Sequence, residues 1–411
     1  MTVFDEFESN VRYYCRRWPV VFATASGASL VDETGQTYLD FFSGAGALSY
    51  GHNNPFLVEV AIDHLRAGRV VHSLDAHTPE KRAFLEAFRD RIVVPRHLDM
   101  VVQFVGPTGA TAVEAALRLA EKLTGSRAVV AYEGSFHGMT AAAASVSASL
   151  DRHHDRCVFL PYVGRCEGAD LARLQAAIQT PIDGQLPGAL ILEPLQADGG
   201  ARPFDPEYLA LVRRVCTEHK VVVIADEVQA GNGRSGPFFS FEGSGLDPDI
   251  ICLSKSLSGL GLPLALNLVR RGLDQWAPGE FTGTFRGDNL AFATATAVLH
   301  RYWSDTELEQ STDRRGQLVR QTLEQLADEP DVAPFAIHGK GLIWGLHFDD
   351  SATAAAVAEA AFRLGLIVET CGREDTTVKL LPPLVAEDDE ITTGLNLLAD
   401  AVRIASAARR S

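Results

Sequence analysis

Two residues with complementary chemistry stand 29 positions apart, each at the end of a short apolar run. Asp226 closes VVVIAD (221–226) and begins Asp-Glu-Val-Gln-Ala-Gly, while Lys255 follows IICLS (250–254) in Ser-Lys-Ser. In an open α/β sheet, ligands sit beyond the carboxyl ends of the strands, so two such ends bring both side chains to one crevice. An amine placed there can condense with an aldehyde, and a carboxylate can keep a pyridine nitrogen protonated so that the ring accepts electrons. That pairing suits pyridoxal 5'-phosphate. Either residue alone would read as a solvated loop aspartate or a surface lysine; it is their joint placement that argues for a site. A phosphate-bearing cofactor also needs an anion site. Gly106-Pro107-Thr108-Gly109-Ala110 lies between the run VVQFV and a helical pattern starting near Ala110. Backbone N–H groups at a helix start, with a threonine hydroxyl, bind anions well. Without Lys255 the same residues would read equally well as an ordinary strand-to-helix turn.

Other chemistry-bearing groups are less persuasive. Gly231-Asn232-Gly233-Arg234-Ser235-Gly236 matches G-x-G-x-x-G, but Pro237 and FFSF follow it instead of a helix, so the dinucleotide fingerprint lacks its context. His153-His154 with Asp151 and Asp155 form a polar cluster whose spacing matches no metal-ligand motif, and no metal is expected. Phe136 and His137, in Gly-Ser-Phe-His-Gly after the run AVVAY, could pack in a core or lay a ring on a cofactor.

The elements that must position these residues are legible between about 100 and 270. The runs VVQFV (101–105), AVVAY (128–132), ALILE (189–193), VVVIAD (221–226), IICLS (250–254) and LALNLV (264–269) are short and continuously apolar. Such runs suit strands covered on both faces, hence a mainly parallel sheet. Helical patterns separate them; in ATAVEAALRLAEKL (110–123), Val113, Ala116, Leu117 and Ala120 fall on one face. The fold class is α/β. Residues 20–50 hold SLVDETGQTYLDF, two short strands around a turn. After a helical region (287–328) come LIWGLHF (342–348), GLIVE (365–369) and TTVKLL (376–381). These ends suggest a small α+β domain built from residues 1–60 and 311–411 around a large α/β domain, 61–310.

Composition narrows the function classes. The 411 residues carry 53 acidic against 37 basic side chains, a formal charge of −16. That sign disfavours nucleic acid and anionic membrane surfaces as partners. The acidic start MTVFDEFESN does not look like a signal peptide, and no stretch approaches a membrane span. Six scattered cysteines without a CxxC pair fit reduced, buried thiols, and a cytoplasmic protein is expected.

Taken in order, DETGQTYLDF, GHNNP, GPTGATAVEAALRLA, SFHGMT, EPLQADGG, ADEVQAGNGRSG, LSKSLSGLGLP, GTFRGDN and KLLPPL resemble the class III pyridoxal-phosphate aminotransferases over nearly the whole chain. RYYCRRWPVVF, FSGAGALSYGHN, GPFFSFEGSGLDPDI and TFRGDNLAF are most similar to the branch of that family that makes L-2,4-diaminobutyrate for ectoine biosynthesis. The resemblance implies fold type I. It implies an amino donor and an oxo acceptor, with glutamate and 2-oxoglutarate as one pair. It also implies a homodimer or larger assembly with a shared active site. Lys255 would be the Schiff-base lysine and proton shuttle, and Asp226 would pair with the pyridine nitrogen. Gln229 would bond the phenolic oxygen and Phe136 would stack on the ring. Thr108, Gly109 and Ala110 would hold the phosphate, with Thr284 reaching in from the neighbouring subunit.

Departures from the family pattern bear on substrate. Where ornithine and 4-aminobutyrate aminotransferases carry a carboxylate-gripping arginine, this chain has Met139, as in the diaminobutyrate branch. Arg286 is a candidate replacement; it could equally cap a loop. Asp198 and Lys379 occupy the positions of the family's glutamate–arginine gate, but a Lys–Asp pair reaches less far and cannot form a bidentate fork. Phe281 stands where a histidine is expected, and the segment 149–166 is shorter and more polar than in that branch. These differences leave open an aminotransferase of secondary metabolism acting on another amine, or an aminomutase. A non-catalytic relative is disfavoured by intact Lys255, Asp226 and Gln229.

Overall fold

The computed structural model describes residues 2–149, 156–372 and 374–410. The polar cluster Asp151, His153, His154 and Asp155 lies outside the described residues, as does most of the variable part of the 149–166 segment.

All six apolar runs form strands of one seven-stranded sheet. In spatial order these are Met100–Gly106, Ala265–Arg270, Ile250–Leu253, Val222–Asp226, Ala189–Leu192, Val129–Tyr132 and Cys157–Leu160. The last is an edge strand that the apolar pattern did not announce. Alternate residues feed two separate cores. Val130, Leu190, Val223 and Ile251 enter one, and Val129, Ala131, Ile191, Ile224 and Cys252 enter the other. Both faces are therefore dry, which explains why these strands read as continuous apolar runs. Ala265–Arg270 is antiparallel to both of its neighbours. The intervening residues 254–264 hold only a 3₁₀ turn, Lys255–Ser258, too short for the helical crossover that a parallel return requires.

Helix Gly109–Thr124 covers one face, burying Ala112, Val113, Ala115, Ala116, Leu119 and Ala120. The buried face is wider than the expected stripe, and Leu117 is only half-buried, because the helix spans several strands rather than one groove. Of the cysteines, Cys216, Cys252 and Cys371 are buried, whereas Cys157 and Cys166 are half-buried and Cys15 is exposed; none is bonded to another. The expectation of buried thiols therefore fails for three of the six. Among the described residues, no helix is long and apolar enough to cross a membrane.

Both chain ends build smaller sheets against this body. Phe22–Ser26, Ser29–Asp32 and Thr37–Asp40 form a meander joined in parallel by Leu366–Ile367, and Phe335–Lys340, Ile343–Phe348, Thr377–Leu380 and Glu369–Cys371 form the other. The run GLIVE thus divides between two sheets. The G-x-G-x-x-G stretch Gly231–Gly236 serves instead as a structural clasp: Arg234 is fully buried and donates to Leu342 O, Pro382 O and Ser49 Oγ, tying three distant segments together. Burial pushes its guanidinium down to about 9. Arg234→Ala strands those acceptors and leaves a cavity, so a loss of about 3–5 kcal/mol is expected in urea unfolding monitored by fluorescence.

Candidate active site

The carboxyl ends of the sheet strands converge on a cavity of about 240 Å³ lined by Gly109, Ala110, Phe136, His137, Gly138, Glu193, Asp198, Asp226, Val228, Gln229 and Lys255. They arrive from the ends of five strands. Gly109 and Ala110 follow Met100–Gly106, Phe136 follows Val129–Tyr132, Glu193 follows Ala189–Leu192, Asp226 ends its strand, and Lys255 follows Ile250–Leu253. The two residues singled out first are thus brought together by sheet topology.

Lys255 sits in the left-handed region at φ +49°, unusual for a residue with a side chain. Burial, with Lys379 nearby, pushes its ammonium down to about 8, so a neutral, nucleophilic amine is within reach of ordinary pH. Asp226 is anchored at both oxygens. His137 Nδ1 lies 2.7 Å from Oδ2, and the Val228 N–H donates to Oδ1 at 3.0 Å. His137 Nε2 is buried without a hydrogen-bond partner among the described residues. Glu193 accepts the N–H groups of Phe136 and Ala197 at 3.0 and 3.1 Å, and burial raises its carboxyl to about 7. The neighbouring Glu227 turns away to accept from Ser240 and Phe241, a structural role.

At the other end, Thr108 caps helix Gly109–Thr124, its hydroxyl accepting from Thr111 N at 3.3 Å. The N–H groups of Gly109 and Ala110, in the helix's first turn, have no intrahelical acceptor to reach. Two glycines make this end narrow enough to grip. A Cβ on Gly109 would lie 2.7 Å from Val228 Cγ1, and one on Gly138, at φ +119°, would lie 2.6 Å from Ala110 Cβ. Gln229 donates to Ala45 O at 3.2 Å and accepts from Lys379 Nζ at 3.0 Å.

The family model for class III aminotransferases matches residues 13–402. This chain belongs to the class III aminotransferases. It is 47% identical over 409 residues to a diaminobutyrate–2-oxoglutarate transaminase from Nocardia farcinica (97% of this chain, 93% of that protein). It is 44% identical over 412 residues to one from Streptomyces anulatus, covering 98% of each. The fold matches that of an S-selective transaminase from Arthrobacter sp. with a TM-score of 0.87 at 21% identity, covering 99% of this chain and 98% of that one. The chain is accordingly a fold type I aminotransferase with pyridoxal 5'-phosphate as cofactor. The cavity fits that group: helix N–H groups that suit a phosphate, an anchored carboxylate, an aromatic side chain and a half-buried lysine all line it.

Not every expected residue lines this cavity. Thr108 acts through the helix it caps. Thr284 is exposed, its carbonyl accepting from His72 Nε2 at 2.5 Å. Arg286 pairs with Asp75 and donates to Phe281 O, outside the cavity within this protomer. Lys379 is buried behind Gln229 and Asp198. Three participants escaped the sequence reading. The sequence presents His137 only as a ring for packing or stacking. Glu193 was read as a strand end, although a carboxylate closing a fully apolar run is a signal in itself. Glu369 was absorbed into the run GLIVE. The hairpin register that pairs Cys371 with Thr377 also places Glu369 opposite Lys379.

Proposed function

We infer that this aminotransferase exchanges the 4-amino group of L-2,4-diaminobutyrate: L-glutamate and L-aspartate semialdehyde give L-2,4-diaminobutyrate and 2-oxoglutarate. The observation that carries the reading is near-full-length identity of 44–47% with relatives bearing that activity in their names, around a cavity whose lysine and aspartate are intact.

Pyridoxal phosphate, when bound, supplies an aldehyde that condenses with amines and a ring that accepts the electron pair released at the substrate carbon. The chain's own residues do the rest. Lys255 would hold the cofactor through its amine, and that amine is the group placed to take up the proton that leaves the substrate carbon and to give it back. Asp226, oriented by His137, keeps the ring nitrogen protonated. Phe136 and Val228, which line the cavity, would confine the ring, and Gln229 would bond its phenolic oxygen. Gly109 and Ala110, set by the Thr108 cap, bind the phosphate.

Thr284 completes the phosphate site from a second copy of the chain. Supporting that homodimer, Thr284 is flanked by exposed apolar side chains: Phe285 at 66%, Val70 at 51%, Val71 at 49% and Leu74 at 44%. Arg286, beside Thr284, would then approach the partner's cavity. The division into a small domain of residues 1–60 and 311–411 and a large domain 61–310, a place in ectoine biosynthesis, and a cytoplasmic location belong to the same reading.

The test is optical. Loaded protein mixed with L-2,4-diaminobutyrate and no acceptor should lose the cofactor's visible absorbance, and 2-oxoglutarate should restore it. Bleaching by glutamate but not by diaminobutyrate would favour an aminotransferase for a different amine, which the short Asp198 and the Phe281 substitution would then explain. Turnover without any 2-oxo acid would favour an aminomutase.

A further inference from the structure

The ammonium of Lys379 has three partners: Glu369 Oε1 at 3.0 Å, Gln229 Oε1 at 3.0 Å and Asp198 Oδ1 at 3.4 Å. The two carboxylates are not equivalent. Glu369 stands directly opposite Lys379 in an antiparallel strand pair, where side chains share a face. Its second oxygen accepts from Tyr14 OH at 3.2 Å. The Glu369 and Lys379 side chains are 6% and 1% exposed, whereas that of Asp198 is 35% exposed. Burial opposes the charge on Lys379, but its carboxylates outweigh that, Glu369 first, and hold the ammonium well above the usual lysine range. Lys379 is thus a sequestered cation with a fixed counter-ion.

Asp198, by contrast, lines the cavity with Lys255, while Lys379 and Glu369 do not. The other two cavity carboxylates are engaged, Asp226 by His137 and Val228, and Glu193 by two backbone N–H groups. Among the described residues, the Asp198 carboxylate has only the 3.4 Å contact, to a cation that has a closer anion.

We propose that Glu369 is the standing counter-ion of Lys379, and that Asp198 is thereby left to receive a second ammonium on the amino donor, the one that does not react. The site then selects diamines over otherwise identical monoamines. This deepens the diaminobutyrate reading and rests on it. In L-2,4-diaminobutyrate the recognised group is the ammonium on C2. A carboxylate half-sheltered beside a low-dielectric cavity attracts that charge far more strongly than one in bulk water.

The experiment compares two donors that differ only in that ammonium, L-2,4-diaminobutyrate and 4-aminobutyrate. Single-turnover bleaching of the cofactor absorbance gives kcat/KM for each in the loaded wild type, Asp198→Asn, Asp198→Glu and Glu369→Gln. Bleaching by glutamate identifies variants that remain folded and loaded. The diamine-to-monoamine ratio is expected to fall about tenfold to a hundredfold in Asp198→Asn, the worth of one charged hydrogen bond. Asp198→Glu should retain most of the preference. In Glu369→Gln the ratio should fall in the same direction, because Lys379 then draws Asp198 to itself. A purely structural role would depress both donors together and leave the ratio alone. An unchanged ratio in either Asp198→Asn or Glu369→Gln overturns the proposal. A wild type that diaminobutyrate cannot bleach at all instead removes the diaminobutyrate reading on which the proposal stands, so the two failures are told apart.

Discussion

Lys255→Ala should lose transamination by at least about 10⁴-fold, since it removes both the covalent anchor and the group that moves the proton. The loss should appear in each half-reaction separately. Alanine cannot return a proton whichever amine is offered, so no donor should bleach the visible band at an appreciable rate. The fold should survive, because Lys255 lies on a short 3₁₀ turn held by the packing of Leu257 and by bonds that do not involve its side chain. Denaturant unfolding of the apoprotein, measured beside activity, separates the two effects. A Lys255→Ala protein that still transaminates would end the assignment.

The environment of Lys255 adds a pH signature. Burial pushes its ammonium down to about 8 from the ordinary lysine value, with Lys379 adding to the shift and Glu369, Asp198 and Asp226 opposing it. The charged form is the one disfavoured, and the neutral amine is the nucleophile. The rate at which apoprotein captures pyridoxal phosphate should therefore climb as pH rises through about 8 and level off above it. An unperturbed lysine would still be climbing well beyond that point. Stopped-flow growth of the visible absorbance between pH 6 and 10 would trace this profile.

Asp226→Asn is expected to cost between about 10²- and 10³-fold in kcat, the usual scale for losing one preorganised charge at a reacting centre. The amide keeps the size of the side chain, but it has no charge with which to hold a proton on the pyridine nitrogen. The cofactor should still bind, because the phosphate end and Lys255 are untouched, and the deficit should fall on kcat rather than on loading. Reconstitution with an N-methylated cofactor, whose ring nitrogen is permanently cationic, should recover part of the rate. Failure of that rescue would show that Asp226 acts by shaping the pocket instead. His137→Phe should give a milder version of the same deficit, since His137 orients the carboxylate at 2.7 Å without itself supplying the charge.

How far the sequence reached depended on the range of the interaction concerned. Runs such as VVVIAD and ALILE declared themselves because strands dry on both faces must be apolar at every position, a requirement written residue by residue. Asp226 and Lys255 were legible for the same reason: a charged side chain ending such a run marks the carboxyl edge of the sheet, where ligands bind. The family motifs added Gln229, Phe136 and the phosphate turn. The edge strand Cys157–Leu160 was missed because its burial is partial, so its pattern is weak.

The sequence by itself therefore determined the α/β class, the lysine–aspartate pair and the membership in an aminotransferase family, because each rests on local pattern or ordered motif. Only the tertiary structure decided which partner each charge takes. GLIVE divides between two sheets so that Glu369, and not Asp198 alone, faces Lys379. His137 reaches 89 residues along the chain to hold Asp226, and Arg234 clasps segments from both ends. Such pairings depend on strand register and domain packing, which bring together residues whose separation along the chain carries no trace of their contact.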